Sequence, residues 1–242
     1  MTFTNTKPAW IITGPGNCGA TLMVRWLIER GTEDRLKDMV LAQVPYFRQI
    51  VTYRSDGFPT KLRHRLRGSD DVRFLQDFLQ NIAPGEKASL LDLNDWPLWE
   101  SPELIELTKG VENLVSCQII TPGPIGALVM ERLRDAGFKP AKTVLVLNDT
   151  VGQWCGVPPR GLDTFEDIIR SPAFLRAVDD GAVVVTMPRM DAATSDAMDS
   201  DARVVRMRQA LAGGIDDHLV AHLKEWLRAM DRAFKPVQNW LP

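Results

Sequence analysis

The sequence predicts an α/β protein with a mostly parallel sheet and helices on both faces, and three observations carry the prediction. Short runs rich in leucine and β-branched residues recur along the chain, and segments of helical periodicity separate them. Near the start, an apolar run passes through a glycine-rich turn directly into a helix over residues 9–30. At 242 residues and 45% hydrophobic content, the chain fits one domain spanning 1–242 with a sizeable core.

In chain order, Ala9–Thr13 reads as a strand and 21–30 as a helix, with candidate strands at 39–44 and 49–53. Residues 72–82 read as a helix, and 88–93 as a strand entered from the turn signal Pro84-Gly85. A helix over 101–109 has Ser101 as its cap and Pro102 at its first position. The alternation continues with a strand at 115–120, a helix at 125–136 and a strand at 143–147. A helix over 164–170 capped by Thr164, a strand at 182–186, and C-terminal helices over 202–211 and 216–234 complete the pattern.

Lys and Arg total 29 against 31 Asp and Glu, so the net charge of −2 gives no global attraction to nucleic acid or anionic lipid. DNA contact would need a local patch, and the basic stretch 54–73 offers either an exposed loop, a partner surface or a plain solvated face. Three widely spaced cysteines, Cys18, Cys117 and Cys155, make neither a disulfide framework nor a zinc spacing, which suits a reducing cytoplasm. The first residues, MTFTNTKPAW, lack the regions of a signal peptide, and no stretch is apolar enough to span a membrane. A cytoplasmic protein is expected.

Gly14-Pro15-Gly16-Asn17-Cys18-Gly19-Ala20-Thr21, followed by Leu22, fits the phosphate-loop spacing G-x-x-x-x-G-K-[ST] at every fixed position except the lysine. Such glycines let the backbone turn its amides inward, and the helix behind them adds the positive end of its dipole. Phosphate can therefore be bound without a side-chain charge. The lysine matters for chemistry, because transition-state stabilisation in phosphoryl transfer is chiefly electrostatic, and Ala20 cannot supply it. A glycine turn with no ligand is the plainer alternative.

Three further strand ends add chemistry. Asp92 closes an apolar strand where a carboxylate can hold a magnesium-bound water, and Thr21 stands where a hydroxyl would hold the ion. Asn148 ends VLVLN with an amide that both donates and accepts, as base recognition requires. Pro188 and Arg189 end VVVTMPRMD at the carboxyl edge, where α/β sheets bind ligands.

The order GPGNCGAT, LLDLND, VLVLN and VVVTMPRMD resembles the ParA/MinD class of P-loop proteins over roughly residues 9–192. The segment VLVLNDTVGQWCG through GAVVVTMPRMD is most similar to the TraL-like proteins of conjugative and mobilisable plasmids. The resemblance implies a P-loop NTPase-like three-layer sandwich binding ATP or another nucleotide. It puts the loop on the phosphates, Thr21 and Asp92 near magnesium, and Asn148 with the Pro188 region near adenine. The chain departs from the family at both phosphate lysines, where Pro15 and Ala20 stand, and Gln43 is the nearest match to the family's acidic residue after the second strand.

The expectation is thus nucleotide binding with weak or lost hydrolysis, in a regulatory or assembly role in plasmid maintenance or conjugal transfer, as a homodimer or with a partner protein. A competing reading is an active ATPase or GTPase that recruits Arg160 or Arg189. Gly19-Ala20-Thr21-Leu22 is also similar to the sulfotransferase cofactor loop, although Asn17 and Asn148 stand where that family shows basic residues. An interaction protein with a non-functional loop is the fourth.

Other residues read blandly. His218 and His222, at i, i+4 without a metalloprotease glutamate between them, are surface or packing residues, and His64 lies in the basic stretch. Cys18 is small-residue filler, and Trp96, Trp99 and Trp154 suit packing or an interface.

Overall fold

The computed structural model describes residues 7–15, 19–30, 39–43, 60–62, 69–85, 87–94, 98–148, 165–200, 203–204 and 207–242. Seven strands form one sheet: β1 (Ala9–Thr13), β2 (Met39–Gln43), β3 (Thr60–Leu62), β4 (Ala88–Asn94), β5 (Leu114–Ile120), β6 (Lys142–Leu147) and β7 (Val183–Thr186). Their order is β3-β2-β4-β1-β5-β6-β7, and every neighbouring pair is parallel. All residues of β1 and β5 are buried, as expected where both faces of a parallel strand are covered. Their near-continuous apolar runs follow from that position.

The helices are α1 (Ala20–Glu29), α2 (Ser69–Asp77), α3 (Pro102–Thr108), α4 (Pro124–Asp135), α5 (Glu166–Ile169), α6 (Pro172–Asp179), α7 (Ala192–Met198), α8 (Met207–Gln209) and α9 (Asp217–Ala233). Strand alternation sorts them into two layers. Trp10 and Ile12 of β1 join Leu90, Val115 and Val144 in a core with Met23 and Leu27 of α1 and Leu223, Trp226 and Met230 of α9. Ala9 and Ile11 point to the other face, where Leu91 and Leu93 pack with Phe74 of α2, Leu104 of α3 and Val129 of α4. Leu145 and Leu147 extend that second layer to Met130, Ile168 and Phe174. The expected three-layer α/β arrangement is therefore present.

The first core is sealed by residues after α9. The Trp10 indole N–H donates to the Trp240 carbonyl at 2.6 Å, the Lys142 ammonium lies 5.1 Å from the Trp240 ring centroid, and Trp26 packs on Phe234 at 4.6 Å.

Several expected boundaries are corrected. The helix expected over 202–211 begins only at Met207, because Arg203–Val204 pairs antiparallel with Asp199–Ser200, and Gly213 at φ 98° stops helical continuation. Phe165, not Thr164, stands at the cap of α5, and a second helix follows, started by Ser171 and Pro172, with Ser171 Oγ accepting from the Phe174 amide at 3.2 Å. Within the basic stretch 54–73, Thr60–Leu62 forms the edge strand β3, and α2 starts at Ser69. Ser101 sits at the cap of α3 but makes no side-chain capping bond. The candidate strand 49–53, Thr164, His64, Trp96, Trp154 and Cys155 lie outside the described residues.

Candidate functional site

The glycine turn leaves the central strand of the sheet. Gly14 is buried and Pro15 half-buried at the end of β1, while Gly16, Asn17 and Cys18 lie outside the described residues. Gly19 caps α1 in the left-handed region at φ 87° and ψ 13°, and its carbonyl accepts the first helical bond from the Met23 amide at 3.0 Å. Only glycine enters this conformation freely. A second constraint is steric: a Cβ on Gly19 would lie 2.5 Å from the Asn148 Nδ2 atom.

Ala20, where the loop spacing expects lysine, is 2% exposed and packed into the α1-side core. A long charged side chain at that position would start among apolar groups. Thr21 follows in the first turn of α1, and Leu22 packs half-buried against the same core. Asp92 pairs in register with Ile12 of β1 on one side and Gln43 of β2 on the other, so it lies beside the root of the turn. Alternation along β4 puts it on the α1 face with Leu90, and it is buried. The register slips between Ile12 and Thr13, where the chain starts to turn out of the sheet.

Asn148 follows β6 and is buried, its amide N–H donating to the Ile120 carbonyl at 2.9 Å. Its side chain abuts Gly19, so a residue two strands from β1 closes on the loop. One strand further, the Met187 amide donates to the Leu147 carbonyl at 2.9 Å, which places Pro188 and Arg189 on the next rim position. Pro188 is half-buried and Arg189 exposed. The structure thus gathers Gly19 and Ala20 after β1, Asp92 of β4 and Asn148 after β6 at the carboxyl edge of the sheet, with Pro188 and Arg189 after β7. Arg160 lies outside the described residues.

Some groups were not anticipated from sequence. Thr13 Oγ1 and Gln118 Oε1, on residues paired in register across β1 and β5, are buried without a hydrogen-bond partner among the described residues, while Gln118 Nε2 donates to Ser116 Oγ at 3.2 Å. A polar residue amid an apolar strand is the only sequence signal for them. His218 and His222 are exposed and stand edge to face at 6.4 Å. Among the described residues, no three His, Cys, Asp or Glu side chains come together to hold a metal. Cys117 is a buried cysteine in β5. A groove of about 370 Å³ lies between Ile125, Ala127, Leu128 and Glu131 of α4 and Ser171–Ala173.

Asp191 organises the end of the rim loop. Its carboxylate accepts from the Thr194 amide at 2.9 Å and from the Thr194 hydroxyl, capping α7, and His222 Nδ1 lies 3.7 Å away. Partial burial pushes its pKa up, but the Thr194 hydrogen bonds and the His222 imidazole outweigh burial and hold it below the usual value. A depressed native pKa contributes stability above the unfolded value and loses it as pH falls through the folded one. Asp191→Asn keeps the capping oxygen and removes the charge, so its deficit in melting temperature is expected in full at neutral pH and should shrink below about pH 4. A deficit that grows in acid would contradict the assignment.

An all-parallel α/β protein with a strand, glycine turn and helix at its central strand is the class that fold and site define. No protein-family model matches the chain, and no curated protein matches it. Solved structures similar to it include the signal recognition particle receptor FtsY from Elizabethkingia anophelis, with TM-score 0.44 and 12% identity, covering 93% of this chain and 66% of that one. The same receptor in complex with GDP gives TM-score 0.36 and 14% identity over 77% of this chain and 58% of that one. Thymidylate kinase from Ehrlichia chaffeensis gives TM-score 0.28 and 16% identity over 92% of this chain and 98% of that one. The chain spans less than two thirds of the length of the receptor chains, and at these scores the likenesses transfer no activity to it. No helix among the described residues is long and apolar enough to cross a membrane.

Proposed function

We propose that this chain binds a nucleotide at the Gly14–Thr21 turn and holds it with little or no hydrolysis, as a ParA/MinD-like regulatory or assembly component. The observation that supports this best is the closure of Asn148 on Gly19 beside the buried Asp92, which draws three strand ends around one helix N-terminus. Backbone amides and the α1 dipole would take the phosphates. Asp92 and Thr21 suit a magnesium ion carried by those phosphates, since such an ion keeps several waters and needs only one or two protein oxygens. The ion would screen charge on the bound phosphates.

Loss of hydrolysis follows from Ala20, because no side-chain cation stands at the phosphate end of the loop spacing. Arg189, exposed on the rim, follows β7, three strand spacings from β1. The finer reading, a TraL-like component in conjugal transfer or plasmid maintenance working as a homodimer or with a partner protein, rests on the sequence resemblance.

Thermal-shift titration with ATP, GTP, ADP and the phosphosulfate cofactor, with and without magnesium, tests the reading. A bound nucleotide is expected to stabilise the fold by about 2.7 kcal/mol at a hundredfold excess over its dissociation constant. Phosphate release should stay at background. No shift with any ligand would remove the proposal, and a shift with the phosphosulfate cofactor alone would favour the sulfotransferase-like alternative.

A further inference from the structure

The rim loop 187–191 is held at several points. Met187 and Met190 are buried in the α1-side core, and Asp191 is held by Thr194. The remaining anchor comes from α9: Trp226, 4% exposed, donates its indole N–H to the Pro188 carbonyl at 2.8 Å. Arg189, between these anchors, is exposed. The loop in turn is bonded through Met187 to Leu147, next to the Asn148 that abuts Gly19. A continuous path of short contacts therefore links α9 to the glycine turn.

Resting on the nucleotide-binding reading, we infer that Trp226 is a positioning residue that sets the Pro188–Arg189 rim for the base and sugar of the ligand, and not for its phosphates. From β1 to β7 there are three strand spacings, about 14 Å. A phosphate anchored at the turn stays at β1, whereas the base of an extended nucleotide reaches toward β6 and β7. Indole is a donor only, so its partner must be an acceptor that the loop keeps fixed. Phenylalanine would keep most of the ring packing and leave the Pro188 carbonyl without that donor.

The experiment measures, by calorimetry on the full chain, the binding of ATP and of inorganic tripolyphosphate to wild type and to Trp226→Phe. The expected result is ATP binding weakened about tenfold, with tripolyphosphate within about twofold of wild type. Retained tripolyphosphate binding also reports an intact fold. Arg189→Ala, an exposed truncation with no packing loss, is expected to lower the same ATP to tripolyphosphate ratio. Equal weakening of both ligands in Trp226→Phe, or no change in either, would overturn the inference and leave Trp226 a core residue. Wild-type chain that binds neither ligand would instead sink the nucleotide reading, and the inference with it.

Discussion

Gly19→Ala is expected to lower stability by about 2–3 kcal/mol, measured as a shift of the denaturant midpoint at unchanged slope. Two separable effects contribute. A Cβ in the left-handed region is strained by roughly 1–2 kcal/mol, and here it would also meet the Asn148 amide at 2.5 Å. The second effect has its own control. In an Asn148→Ala background the clash is gone and only the backbone strain remains, so the two changes should couple by about 1 kcal/mol. Strict additivity would mean that Asn148 does not close on the turn. Nucleotide binding should fall with stability in Gly19→Ala, since displacing Asn148 opens the rim at the point where it meets the loop.

Trp10→Ala should have the largest effect of any single change in the sheet, about 3–5 kcal/mol. Trp10 is fully buried in the central strand, and its indole also holds the Trp240 carbonyl at 2.6 Å. The corresponding fall in melting temperature is on the order of 10 °C for a chain of this size. Trp10→Phe, which keeps much of the ring volume and gives up the hydrogen bond, should fall well between the two. Equal losses in both variants would shift the weight from packing to the Trp240 contact. Loss below about 1 kcal/mol in Trp10→Ala would contradict the burial itself.

What the sequence made legible depended on whether local pattern and tertiary setting agreed. Ala9–Thr13 was readable because a strand covered on both faces must be apolar throughout. The 202–211 segment carries helical periodicity, yet Arg203–Val204 pairs as a strand with Asp199–Ser200 and Gly213 takes a left-handed backbone, neither of which the local pattern shows. At 171–172 the Ser-Pro start signal stands directly after the neighbouring helix, so the local pattern does not separate the two. Asp92 and Asn148 could be named as strand ends, because each follows a run of buried residues. Their placement was not readable: that Asn148 meets Gly19 depends on the order β1-β5-β6, which no local spacing encodes. Ala20 showed a missing lysine in the sequence, and the structure adds that its place is in the core. Trp226 has no sequence signal beyond its place in the helix expected over 216–234, since periodicity cannot say which carbonyl an indole will find.

The bond from Trp10 to Trp240 joins positions 230 apart in the chain. At ribosomal rates of 5–20 residues per second, roughly 10–50 s separate the synthesis of the two. Both strands that flank β1 are made by Ile120, well within that interval, but the α1-side face of Trp10 still lacks α9 and Trp240. That face of the core stays open until α9 and the residues after it emerge. Completion of this core is therefore a late event, and chaperone dependence during expression should track how quickly residues 217–242 become available.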